Sequence, residues 1–218
     1  MMDNRRDVST RKITLFHKLA KKLVGLGLHP NHISVASSVF ALMAGAALAW
    51  SGPANLVSTN LVLLVAAVLG IQLRLVCNLI DGLMAVEGGL KTPTGELYND
   101  IPDRISDIFI LVGAGFSAQS SISIALNLSW LASLVAVLTA YIRVLGSSMG
   151  APHFFTGPMA KQHRMFALNC AIIGSAVEMY LGSWGYSLTA FLGLITIGAF
   201  LTCLRRLKNI SSHINSKT

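Results

Sequence analysis

Six of the nine acidic residues of this 218-residue chain fall in one stretch: Asp81, Glu87, Glu96, Asp100, Asp103 and Asp107. Their settings differ. Glu87, Glu96 and Asp100 suit a solvated loop, whereas Asp81 is embedded in LIDGLMAV and Asp103 and Asp107 head an apolar helix. Asn78 and Asp81 stand at i and i+3 and share one helix face, while Asn99, Asp103 and Asp107 follow at i+4 steps and stack on one side of the next helix. Asp100 lies about 100° round that helix from Asn99. Two antiparallel neighbours joined by a short loop would bring these oxygen-rich faces together. Carboxylates and carboxamides converging without His or Cys suit a hard cation such as Mg²⁺, Mn²⁺ or Ca²⁺ and disfavour zinc. Mg²⁺ typically binds through a few carboxylates plus substrate phosphates, so the chemistry points to a substrate with a phosphate or pyrophosphate. Gly82 and Gly95 would let a ligand approach the backbone closely. The plainer reading of both glycines is helix packing, because small residues also line membrane helix contacts.

The elements that must hold these residues are apolar helices. The chain is 53% hydrophobic and only 12% charged, about half the charge of a soluble domain, with a mean hydropathy of +0.64. Apolar segments recur near the ~20 residues that span a bilayer. They run over about 33–50, 61–86, 101–120, 130–146, 165–181 and 188–204, the third being the weakest and dotted with Ser. HPNH precedes the first as a helix-start signal, and Thr92 and Pro93 form an N-cap and N1 pair for the helix carrying the third. Before the first segment, Ile13, Phe16, Leu19, Leu23 and Leu26 recur at helical spacing among Lys12, Lys18, Lys21 and Lys22. This pattern fits a basic amphipathic helix lying on an anionic membrane leaflet. The fold class expected is therefore an all-α integral membrane protein with six transmembrane helices preceded by an amphipathic interfacial helix. It divides into a cytoplasmic tail and interfacial helix over 1–30, a six-helix transmembrane domain over 31–206 and a cytoplasmic basic tail over 207–218.

Charge sets the expected orientation. The connections SGPANLVSTN, SISIALN and GSWGY, after the first, third and fifth segments, hold no Lys or Arg. The opposite side holds Arg5, Arg6, Arg11, Lys12, Lys18, Lys21, Lys22, Lys91, Arg104, Lys161, Arg164, Arg205, Arg206, Lys208 and Lys217. The positive-inside rule then puts both termini, and the acidic cluster, in the cytoplasm. The same rule accounts for the net charge of +8 without a nucleic-acid partner. Arg74 and Arg143 fall within segments; a charge there faces a cavity or a partner, or snorkels to the interface. Cys77, Cys170 and Cys203 are scattered in apolar segments and read as small buried hydrophobes. The N-terminal region is polar and basic over too long a stretch for the start of a cleavable signal peptide.

At the acidic cluster the chain resembles the CDP-alcohol phosphatidyltransferase family, whose pattern is D-x2-D-G-x2-A-R-x8-G-x3-D-x3-D. The corresponding residues are Asn78, Asp81, Gly82, Ala85, Val86, Gly95, Asn99 and Asp103, with every spacing kept. The six spans, the amphipathic N-terminal helix and HPNHIS before the first span also resemble the family, so the likeness covers essentially the whole chain. It implies a transferase that moves a phosphatidyl-type group from a CDP-linked lipid to a small polar alcohol and releases CMP. It further implies metal ligation at Asn78, Asp81, Asn99 and Asp103, with Asp103 also the general base. Gly82, Ala85 and Gly95 would border the nucleotide, and Arg143 and Lys161 would grip the acceptor or its phosphate. The cofactor implied is Mg²⁺ or Mn²⁺, and a homodimer is expected by resemblance. Three positions depart from the pattern: Asn78 and Asn99 replace two Asp, and Val86 replaces the Arg. Asn ligates through a carbonyl oxygen but brings no charge, so the chain holds one or two ions. Two other readings stand beside this one. An altered relative would bind lipid or nucleotide without turnover, and a small transporter would use the intramembrane Asp and Arg as an ion path.

Overall fold

The computed structural model describes residues 14–90 and 94–216. It is all-helical over these residues, with a short helix α1 (Thr14–Gly25) followed by six long ones: α2 (Pro30–Trp50), α3 (Val57–Glu87), α4 (Gly95–Gln119), α5 (Ala125–Ser148), α6 (Lys161–Tyr180) and α7 (Tyr186–Asn215). Each long helix carries one of the apolar segments and starts before it. α7 in particular continues to Asn215, so that residues beyond Leu204 are helical. Thr92 and Pro93 lie outside the described residues; α4 begins at Gly95 with Thr94 at its N-cap. Pro30 occupies the first turn of α2, where its missing N–H costs nothing and its fixed φ suits the helix. The His29 N–H donates to His32 Nδ1 at 3.4 Å.

Among the described residues, α2, α3, α5 and α7 are long and apolar enough to cross a membrane. α4 and α6, at 25 and 20 residues, have the length, at a rise of about 1.5 Å per residue. They fall short on composition, carrying polar and charged residues of which Asp103, Asp107 and Arg164 are buried. The molecule is inverted relative to a soluble protein. Arg74 and Arg164 are buried, whereas Val62, Leu134 and Ile197 are each more than 60% exposed. Apolar surface on this scale, around an ion-paired interior, is the signature of an integral membrane protein.

Successive long helices run in opposite directions, so the starts of α2, α4 and α6 share one end of the bundle with the finishes of α3, α5 and α7. The other end is closed by local polar contacts. The Ser51 and Ser117 hydroxyls meet at 2.8 Å, and Trp184 Nε1 donates to the Ser117 carbonyl at 3.0 Å. Glu178 accepts from the backbone N–H groups of Tyr186 and Ser187 at the start of α7. α1 lies across the last turns of α3, with Phe16, Ala20, Leu23 and Val24 against Ile80, Leu83 and Met84. Leu19 and Leu26 stay exposed beside Lys18, Lys21 and Lys22. Ile13 and Lys12 of the same amphipathic pattern lie outside the described residues.

α4 is brought against α2 by two glycines. A Cβ on Gly45 would strike the Phe109 carbonyl, and one on Gly113 would strike the Gly45 carbonyl. The two backbones therefore touch, as small residues allow in membrane helix pairs, and this contact sets how deeply α4 seats its acidic face. Gly113→Leu is expected to abolish recovery of monodisperse folded protein in detergent size-exclusion chromatography. Gly193→Ala, whose Cβ would meet only Leu128 at an ordinary 3.8 Å, is expected to leave it intact.

Candidate active site

The end of the bundle shared by the start of α4 and the finish of α3 holds the polar residues. Asp103, about two turns into α4, lies opposite Asn78 of α3, whose Nδ2 donates to Asp103 Oδ1 at 2.9 Å. The two helix faces predicted from spacing thus meet at this pair. Lys161, the first residue of α6, donates to the same Asp103 oxygen at 2.5 Å, and Arg74 Nη2 lies 3.5 Å from it. Asp103 Oδ2 faces Arg104 at 3.8 Å.

Asp81 sits one turn beyond Asn78 on α3 and is 4% exposed. Its Oδ2 accepts from Ser34 Oγ of α2 at 2.6 Å, while its Oδ1 is buried with no hydrogen-bond partner. A buried carboxylate oxygen left without a donor is costly in a low dielectric. A bound cation would satisfy it, and the oxygen donors nearby suit a hard ion. Asn78 uses its Nδ2 on Asp103, so its carboxamide oxygen is the atom it offers a metal. Among the described residues no three His, Cys, Asp or Glu side chains cluster to hold an ion, as follows from Asn standing at positions 78 and 99. Asn99 is exposed, one turn out from Asp103. Gly82, Ala85 and Gly95 are half-buried, and Val86 is exposed.

One turn deeper, Asp107 is clamped between two arginines. Arg74 Nη2 reaches its Oδ1 at 2.7 Å and Arg164 Nη2 its Oδ2 at 2.6 Å, with all three side chains essentially inaccessible. Arg74 also donates to the Asp103 carbonyl at 3.2 Å, and Arg164 to the Met159 carbonyl at 3.0 Å. This network ties α3, α4 and α6 together beneath Asp103. The intramembrane Arg74 thus has its partner. Arg164, which charge alone would put with the basic residues outside the membrane, is buried in the interior instead. Lys161 and Arg164 at i,i+3 on α6 face Asp103 and Asp107 at i,i+4 on α4, a spacing match that could have signalled the pairing. Ser34 offered no signal, since a single Ser in ISVASS carries no pattern.

At the rim, Arg143 of α5 donates to Asp100 Oδ2 at 2.6 Å and lies over the Phe155 ring at 5.1 Å. Asp100 also pairs with Arg104 at 3.7 Å. Asp100 is therefore engaged by cations and does not supply the carboxylate that Asn99 lacks. Arg143 is the second basic residue singled out in the sequence, and it stands at the same end of the bundle as Lys161.

The fold is shared with solved structures of a phosphatidylinositol phosphate synthase. It matches the Mycobacterium tuberculosis phosphatidylinositol phosphate synthase with CDP-DAG bound at a TM-score of 0.71, covering 91% of this chain and 94% of that one. The same synthase in complex with manganese and citrate also matches at 0.71, over 89% and 88%. Both are 18% identical to this chain, so the correspondence is one of fold. In sequence, the chain is 26% identical to the inner membrane protein YnbA of Escherichia coli (strain K12) over 150 residues, 69% of this chain and 68% of that protein. No protein-family model matches the chain.

Proposed function

We propose that this chain is a membrane transferase of the CDP-alcohol phosphatidyltransferase kind, moving a phosphatidyl-type group from a CDP-linked lipid to a small polar alcohol with release of CMP. The observation that carries this reading is the meeting of Asn78 and Asp103 across α3 and α4, beside the open oxygen of Asp81. The reading is supported further by a fold shared with a synthase that binds CDP-DAG and manganese.

All six long helices span the bilayer in this reading, with the termini and the site on the cytoplasmic side, where the basic residues gather. The lipid tails lie in the inner leaflet and the pyrophosphate rests between α3 and α4. Gly82, Ala85 and Gly95 leave room for the nucleotide. Asp81, the Asn78 oxygen, Asn99 and Asp103 are the ligands available to Mg²⁺ or Mn²⁺, which when bound neutralises pyrophosphate charge and stabilises the leaving phosphate. Arg143 and Lys161 orient the acceptor. Asp103 Oδ2 takes the proton of the acceptor hydroxyl as its oxygen attacks the phosphorus next to the lipid. The phosphorus–oxygen bond to CMP breaks, and CMP leaves with the electron pair. Lys161 and Arg74 hold the Asp103 carboxylate in place through its Oδ1, leaving Oδ2 toward the acceptor.

A panel of polar alcohols, each offered with CDP-diacylglycerol and Mg²⁺ or Mn²⁺, tests this reading. One alcohol is expected to give a new phospholipid together with CMP. Ion flux in liposomes free of CDP-lipid, with no product from any alcohol, would replace the reading by a transporter.

A further inference from the structure

The arrangement round Asp103 does not fit two divalent ions. Asp103 Oδ1 receives the Asn78 amide at 2.9 Å and the Lys161 ammonium at 2.5 Å, with the Arg74 guanidinium 3.5 Å away. A carboxylate oxygen offers about two lone pairs, and here both face protein donors. Two carboxylates at positions 78 and 103 would repel at this separation and need a cation between them. Asn78 instead closes the gap with its own N–H.

Charge leads to the same result. The site gathers Arg74, Arg104, Arg143, Lys161 and Arg164 around Asp81, Asp100, Asp103 and Asp107, five cations against four anions. Carboxylates at positions 78 and 99 would add two negative charges, equal to the charge of one divalent ion. Their replacement by Asn removes the need for that ion. The other position differs: Asp81 Oδ1 is buried, has no partner and lies within electrostatic reach of Lys161 and Asp103.

We propose that the Lys161 ammonium stands in for one divalent cation, so that the chain holds a single exchangeable ion, at Asp81. This rests on the transferase reading. It makes the site a hybrid, with one positive centre supplied by the protein and permanently seated on Asp103, and one supplied by the metal. The substrate class that suits such a pair is a pyrophosphate diester, whose two charges match one metal and one ammonium with less total positive charge than two metals would bring.

The test is Mn²⁺ stoichiometry on the purified full chain in detergent, read from the electron paramagnetic resonance of free Mn²⁺ with CDP present. One Mn²⁺ per chain is expected for the native protein and none for Asp81→Asn. The double variant Asn78→Asp/Lys161→Met, which restores a carboxylate and removes the ammonium, is expected to bind two. Two ions or none on the native protein would overturn the proposal. A double variant that keeps its native melting temperature but still binds one would overturn it too. If the double variant fails to fold, the native stoichiometry decides. CDP-diacylglycerol binding is measured in parallel: its absence sinks the transferase reading, whereas two ions with CDP-lipid bound sinks only the Lys161 assignment.

Discussion

Asp107→Ala is expected to cost about 3–5 kcal/mol of stability, the penalty of breaking a buried ion pair by removing one partner. The basis is that Asp107 is the acidic partner of two guanidiniums at once, Arg74 at 2.7 Å and Arg164 at 2.6 Å. Neither arginine can reach water, with Arg74 at 0% and Arg164 at 1% exposure. The cut would leave two buried positive charges facing one another across the vacated carboxylate. A strong fall in the thermal unfolding midpoint in detergent is the readout. The triple variant Arg74→Met/Asp107→Leu/Arg164→Met is not equivalent to breaking the pairs, since a buried ionic group exchanged for apolar residues of similar volume is often neutral. That variant is expected to recover most of the lost stability. If Asp107→Ala melts like the native protein, the clamp joining α3, α4 and α6 is not what holds them.

Asp103→Asn carries the largest expected effect on activity. Removing a positioned proton acceptor typically costs about 10²–10⁴-fold in rate. The carboxamide has the same shape, and its oxygen can still accept from Asn78 and Lys161, so the variant is expected to melt near the native temperature. The loss should appear in kcat and in kcat/KM alike, because proton transfer belongs to the transition state. A loss of folding instead would make Asp103 a structural partner of Lys161.

Much of this arrangement was legible in the sequence, for physical reasons that differ between its parts. The six long helices follow from segment length and composition. The meeting of Asn78 with Asp103 follows from helical periodicity and the short connection between α3 and α4. The location of Arg164 did not follow, because the positive-inside pattern treats every basic residue near a helix end as solvated. The i,i+3 step from Lys161 to Arg164 matches Asp103 and Asp107 on α4, but that match has meaning only once α4 and α6 are seen to face each other. Asn99 shows the opposite limit. Its i,i+4 step put it on the Asp103 face, yet it sits in the outer part of α4, exposed. Helical phase says which side a residue faces but not how far along the helix the neighbours reach. Asp100 reads in the sequence as a solvated loop residue, and its ion pairs with Arg143 and Arg104 give it a role at the rim instead.

The measurement that tests the central claim most directly is release of labelled CMP from CDP-diacylglycerol by the purified protein, with and without Mn²⁺, in the native chain and Asp103→Asn. The account predicts release that depends on the divalent ion and on an acceptor alcohol, and that falls by about two to four orders of magnitude in the variant. Equal release from native and variant proteins would contradict it, as would a folded native protein that binds CDP-diacylglycerol and releases no CMP with any alcohol.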